Sequence, residues 1–218
     1  MRYPFTCILC AFILLISCKK EDKREEVVFK GNVAVEFVDE TAANIDVIVY
    51  GKVYESGSFN TTSKKLGSST TDHNGDYEVT IPSQNYVELS IKAESEKFFP
   101  HLQNLNVDAI ENNEDNEVDF SVKPKATLRI TIRNANPFNH EDYAEYRNFR
   151  TFDDCACCSG SPIEFFGTDV DTTFSCDLYG GHYMLYRLRY NRTFDQTIDI
   201  IDSILCEPFE TTELELNY

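Results

Sequence analysis

The chain of 218 residues contains no tryptophan, so any sugar-stacking surface it carries lacks the largest aromatic ring. It is also short of cations, with 20 lysines and arginines against 37 aspartates and glutamates and a formal net charge of -17. Nucleic-acid binders neutralise phosphates with clustered Lys and Arg, so this deficit excludes that class. Crossing the hydrocarbon of a bilayer takes about 20 apolar residues. The longest apolar stretch, Ile8 to Ile16, is shorter and is broken by Cys10. Signatures of catalysis are missing too: there is no Gly-x-Ser-x-Gly, no His-Glu-x-x-His and no phosphate-cradling glycine loop. Neither His140 nor His182 falls in a nucleophile motif. Many carboxylates without such a signature predict a protein with no enzymatic activity and no cofactor.

What is present begins with an address. Arg2, the apolar core and small Ser17 ahead of Cys18 form a signal-peptide layout over residues 1–18. The run Lys19-Lys20-Glu21-Asp22-Lys23-Arg24-Glu25-Glu26 follows at once and reads as a solvated tether over 19–26. Leu15-Ile16-Ser17-Cys18 resembles the bacterial lipobox, which implies cleavage before Cys18 and lipid on its thiol. Two or three acyl chains hold a protein on a membrane where one is marginal. Lys20-Glu21-Asp22 is similar to the surface-export signal of Bacteroidota lipoproteins. That resemblance implies an outer-membrane lipoprotein exposed on the cell surface.

From residue 27 to 123 the pattern is that of half-buried strands. Val33, Val35 and Phe37 alternate with Ala34, Glu36 and Val38; Ile45, Val47 and Val49 with Asp46, Ile48 and Tyr50. Tyr77 to Ile81 and Tyr86 to Ile91 alternate likewise, and Asn74-Gly75 supplies a tight turn before the first of these two. Gly31-Asn32-Val33, Ile45 to Val49, and above all Thr71-Asp72-x-Asn74-Gly75-x-Tyr77 resemble the carboxypeptidase regulatory-like domain, with Phe120-Ser121-Val122 matching its last strand. The resemblance implies a transthyretin-like β-sandwich in an accessory, non-catalytic role. It departs from the family at Phe98-Phe99-Pro100, where many members carry a Gly-Tyr pair. Asp72, Asn74 and Asp76 lack the EF-hand positions for glycine and glutamate, which predicts a polar turn and no metal. The acidic run Glu111 to Glu117 reads as a solvated connector.

From 124 to 218 a second, cysteine-containing sandwich of Ig-like type is expected, making an all-β chain of two consecutive β-sandwiches. Strands are predicted at Leu128 to Ile132, Thr172 to Cys176, His182 to Tyr190, Thr197 to Ile201 and Thr211 to Leu216, with Pro124 as the hinge between sandwiches. Tyr143, Tyr146, Phe149 and Phe152 recur every third residue, which predicts a short helix with one aromatic face. On the His182 strand, Met184, Tyr186, Leu188 and Tyr190 share one face. Tyr183, Leu185, Arg187 and Arg189 share the other, and Tyr183, Arg187 and Arg189 are the candidate ligand face.

Once Cys7, Cys10 and Cys18 are set aside, the sulfur chemistry rests on Cys155, Cys157, Cys158, Cys176 and Cys206. Export to an oxidising compartment makes all five disulfide candidates, with room for two bridges and one thiol left over. Bridges from Cys176 and Cys206 into the Cys155–Cys158 cluster are expected. The alternative, a soft-metal or redox site on that cluster, lacks the knuckle spacing of structural zinc. Asp171-Thr172-Thr173 and Asp202-Ser203-Ile204 resemble Bacteroidota O-glycosylation sequons, which implies Thr172 and Ser203 as acceptors. The reading reached from sequence is a lipid-anchored envelope module that presents sandwich loops to a protein partner. Glycan capture is the second reading.

Overall fold

In the computed structural model the chain is described for residues 26–218 apart from 56, 57, 60, 61, 113, 150–154, 156, 194 and 195. The signal, Cys18 and the tether up to residue 25 lie outside the described residues, as does Phe152. The fold is all-β. Its first half comprises β1 (Glu26–Val35), β2 (Asp46–Glu55), β3 (Ser58–Phe59), β4 (Lys64–Thr70), β5 (Asp76–Pro82), β6 (Tyr86–Glu94), β7 (His101–Leu105), β8 (Asp115–Glu117) and β9 (Phe120–Val122). One sheet runs β5-β1-β8, with β9 also on β1; the other runs β3-β2-β6-β7, with β4 also on β2. In β5, Tyr77, Val79 and Ile81 are buried and their neighbours exposed, the period-2 pattern of a strand with one wet face. These side chains join Phe29, Val47, Val49, Leu89 and Ile91 in the first core.

The second half comprises β10 (Lys125–Arg133), β11 (Tyr143–Phe149), β12 (Ile163–Phe166), β13 (Asp171–Tyr179), β14 (His182–Thr193), β15 (Gln196–Cys206) and β16 (Thr211–Asn217). Its sheets are β13-β10-β16 and β12-β11-β14-β15. Leu128, Ile130 and Ile132 of β10 meet Tyr146, Met184 and Leu188 in a second core.

Several expectations change. The helix over Tyr143 to Phe149 is a strand, so a three-residue spacing splits across its faces: Tyr146 is in the core while Tyr143 and Phe149 are on the other side. Phe37 does not continue β1; its backbone is left-handed, φ 69°, and its ring is exposed towards the second half. The run Glu111 to Glu117 is more than a connector. Asn116 holds it closed, accepting from the Glu111 amide at 2.8 Å and donating to the Glu111 and Val28 carbonyls. The turn at Asp72 is a closed hydrogen-bonded unit, in which one carboxylate oxygen accepts from the amides of Asn74 and Asp76 at 2.8 and 2.9 Å. Those two amides hold the Asp72 carboxyl below its usual range. Gly75, at φ 86°, completes the turn where a side chain would be strained.

Pro124 is not an open hinge. It is buried, it bridges to Phe98, and its carbonyl accepts from the Gly180 amide at 2.8 Å. Phe99 meets Tyr179 edge to face with centroids 4.9 Å apart, and Phe37 meets His182 at 4.3 Å. Lys123 lies over Tyr179 at 4.7 Å, with Lys97 over Phe209 and Lys125 over Phe99. The Phe98-Phe99 segment is therefore where the first half meets the second.

Candidate binding surface

The second sandwich has two outer faces, and they differ in kind. On β13-β10-β16, Arg129 pairs with Glu213 at 2.7 Å and Arg133 with Asp171 at 3.2 Å. Thr127 donates to Asp177, and Thr131 bonds to Thr173. Each of these side chains has a partner directly across the ladder, which is how a solvated sheet face is built.

The outer face of β12-β11-β14-β15 carries large apolar groups in water. Phe166 is 68% exposed, Tyr183 63% and Ile201 60%. They share that face with Arg147, Arg187 and Arg189 and with the carboxylates of Glu145, Glu164 and Asp199. The register produces this grouping, setting Arg187 opposite Arg147 on one side and Ile201 on the other. Like charges opposite each other are unfavourable in a sheet. Each of these two arginines is held by an oxygen acceptor: Arg187 forks onto Asp199, with Nε at 2.7 Å, and Arg147 Nε donates to the Gly160 carbonyl at 2.9 Å. The Arg187 guanidinium also holds the Asp199 carboxyl below its usual range. Beside them Tyr143 donates to Glu164 at 2.9 Å; burial, then the Glu164 hydrogen bond, pushes its phenol up to about 12. Phe166 leans on the Tyr143 ring at 5.3 Å.

Alternation places Tyr183, Arg187 and Arg189 together on this face, as the strand pattern predicts. Phe166, Arg147 and Ile201 join them through cross-strand register, which the sequence does not print. Thr172 is exposed on β13 opposite Ile132, and Ser203 is exposed on β15 opposite Leu185.

The cysteines pair as Cys155–Cys157 and Cys158–Cys176, each with Cα atoms 5.0 Å apart, inside the range a disulfide spans. The bridge expected from Cys206 is not formed. Its thiol is buried in the second core near the Ile204 carbonyl, and burial pushes its pKa up, which keeps it protonated and inert. With four sulfurs bridged, the cluster has no thiolate to offer a soft metal. Among the described residues no group of three His, Cys, Asp or Glu side chains is placed to hold a metal ion, and no helix is long and apolar enough to cross a membrane.

No protein-family model matches the chain, and no curated protein matches it. Among solved structures it is similar to the TIE protein of Bacillus anthracis, at 12% identity over 89% of this chain and 34% of that one, with a TM-score of 0.37. A streptococcal ancillary pilin matches at 10% identity over 90% of this chain and 63% of that one, TM-score 0.36. A candidate adhesin from Bacteroides ovatus matches at 10% identity over 87% and 92%, TM-score 0.32. The chain spans about a third of the Bacillus anthracis protein.

Proposed function

We propose that the protein is a non-catalytic binding module of the bacterial cell envelope, held to the outer membrane by lipid on Cys18 and exposed on the cell surface. In this reading it engages a protein partner through the outer face of β12-β11-β14-β15. One observation carries the reading: of the two outer faces of the second sandwich, this one alone leaves Phe166, Tyr183 and Ile201 in water beside three arginines. Exposed apolar groups rimmed by polar ones mark interaction surfaces, and aromatic residues with arginine supply most interface hot spots. The three arginines of the face are matched by three carboxylates, Glu145, Glu164 and Asp199, so the partner is selected by apolar contact rimmed with polar groups rather than by net charge. The same residues support glycan capture as the second reading, because Tyr183 and Phe166 offer flat rings to a sugar. Thr172 and Ser203 are accessible for O-glycosylation; an intact mass equal to that of the bare chain excludes it.

Crosslinking in intact cells tests the reading. Phe166→Ser with Tyr183→Ser is expected to abolish an adduct with an envelope protein that the native chain forms, and an undiminished adduct contradicts it. A glycan array that binds the native chain and not the double variant establishes the second reading instead. Cys18→Ala is expected to release the protein from the membrane, and retention there removes the lipid anchor.

A further inference from the structure

The edge of the candidate sheet carries information independent of its face. β15, Gln196 to Cys206, is the longest edge strand among the described residues. It contains Ile198, Ile200, Ile201 and Ile204, bonds to β14 on one side and has no described strand on the other. Such an edge is a template for a further strand unless it is blunted. The other edges of this sandwich are shorter: β12 has four residues, β16 has seven and carries Glu213 and Glu215, and β13 has nine, with its Asp177 carbonyl taken by the Cys158 amide. β15 carries Asp199 and Asp202, the first paired with Arg187.

The backbone shows which groups of β15 are available. The Cys206 carbonyl accepts from the Gly181 amide, on the β14 side. The Ser203 amide donates instead to the neighbouring Asp202 carboxylate at 2.7 Å, on the outer side. Since amides alternate along a strand, the N–H and C=O groups of Asp199, Ile201 and Ser203 point away from the sheet. The side chains then choose a partner. In an antiparallel pair of two β15 strands centred on Ile201, Ile201 meets itself and Ile198 meets Ile204. Asp199 meets Ser203 and Asp202 meets Ile200, so no acid faces an acid. Moving the centre one residue to Asp202 sets two aspartates against each other. Asp199 is already neutralised by Arg187 at 2.7 Å, so it brings little uncompensated charge to the junction.

We propose that two copies of the chain pair antiparallel through β15 about a twofold axis at Ile201, joining two four-stranded sheets into one of eight strands. Pairing transfers the Ser203 amide from Asp202 to the partner's backbone and shields Ile201, which is 60% exposed in the single chain. The two outer faces become one continuous surface, whatever ligand that surface takes.

Sedimentation equilibrium of the chain from Lys19 to Tyr218 tests this. It is expected to give a concentration-dependent monomer–dimer equilibrium. Ser203→Pro deletes an N–H that β14 does not use, so it is expected to weaken the dimer at least tenfold while leaving the circular dichroism of the chain, and its melting at concentrations where both chains are monomers, unchanged. Ile201→Cys is expected to link to itself under mild oxidant, whereas Ile198→Cys, which meets Ile204, is not. A monomer at every concentration overturns the proposal. So does a dimer indifferent to Ser203→Pro, or one in which Ile201→Cys never links to itself; the latter two indicate a different contact surface.

Discussion

Phe98 and Phe209 meet edge to face across the junction of the two sandwiches, with ring centroids 5.4 Å apart and planes at 81°. Phe209 achieves this from a left-handed backbone, φ 65°, which costs a residue with a side chain about 1–2 kcal/mol. Its amide is held by the Lys125 carbonyl at 2.6 Å. Phe37, whose ring contacts His182, has the same backbone state at φ 69°. Two unfavourable conformations at one junction are sustained by the contacts they make possible.

Replacing these rings is expected to have unequal effects. Phe98 is buried in the first core, so Phe98→Ala costs about 3–5 kcal/mol of stability. Phe209 is partly exposed, and Phe209→Ala is expected to leave both cores intact while exposing the 123–125 segment to protease. A double-mutant cycle on the pair by urea unfolding is expected to show a coupling of about 0.5–1.5 kcal/mol, the range for aromatic pairs. Additive effects mean the rings do not cooperate.

The junction is expected to weaken with acid. Burial lowers the His182 pKa below 6.5; nearby Glu36 opposes this and Lys123 adds to it. With the native pKa depressed, the unfolded chain takes up a proton first. Stability is then complete above about pH 6.5 and falls as the pH drops from there towards the native pKa. Urea midpoints measured between pH 7.5 and 5.5 are expected to decline in the native chain and to flatten in His182→Phe. An equal decline in both assigns the effect to another group.

Asp142 organises the turn into β11. Burial raises its carboxyl pKa, but hydrogen bonds from the Phe138 amide, the Asn134 side chain and the Asn139 amide outweigh this and leave it lowered. A depressed carboxyl contributes stability above its unfolded pKa and loses it as the pH falls through the native value. Asp142→Asn offers one acceptor oxygen in place of two, and the unmet donors are expected to cost about 1–3 kcal/mol at neutral pH. The variant is also expected to lose less stability than the native chain on acidification below about pH 4, read from thermal melts at pH 7 and pH 3. A native-like melt at pH 7 shows that the turn holds without this carboxylate.

Denaturing the Lys19 to Tyr218 chain without reductant is expected to release one reactive thiol, that of Cys206. Replacing both Cys158 and Cys176 with serine opens a bridge between residues 18 apart and is expected to cost about 3 kcal/mol. Cys206→Ala is expected to leave the thermal midpoint of the bridged chain nearly unchanged apart from a small cavity cost. Three or five thiols contradict the pairing.

Strands whose alternation is unbroken were legible from sequence. Tyr77 to Ile81 and Leu128 to Ile132 each put a hydrophobic residue on every second position, and both lie in strands with that face buried. Tyr143 to Phe149 hid its nature because a polar residue, Asn148, sits on the buried face. There it accepts from the Tyr146 hydroxyl and donates to the Ser159 carbonyl, while Tyr143 and Phe149 face outward. The candidate surface was half legible for a related reason. Tyr183, Arg187 and Arg189 lie on one strand, but Arg147 reaches them only through the pairing of β11 with β14. Nothing local in Phe98-Phe99-Pro100 announces the second sandwich as its partner.

The central claim, that one outer face of the second sandwich is the binding surface, is tested most directly by a photoreactive amino acid placed in intact cells at Tyr183 and, separately, at Thr131 on the opposite face. The account predicts adducts with an envelope component from position 183 and none from 131. Adducts from 131 alone, or equally from both, contradict it.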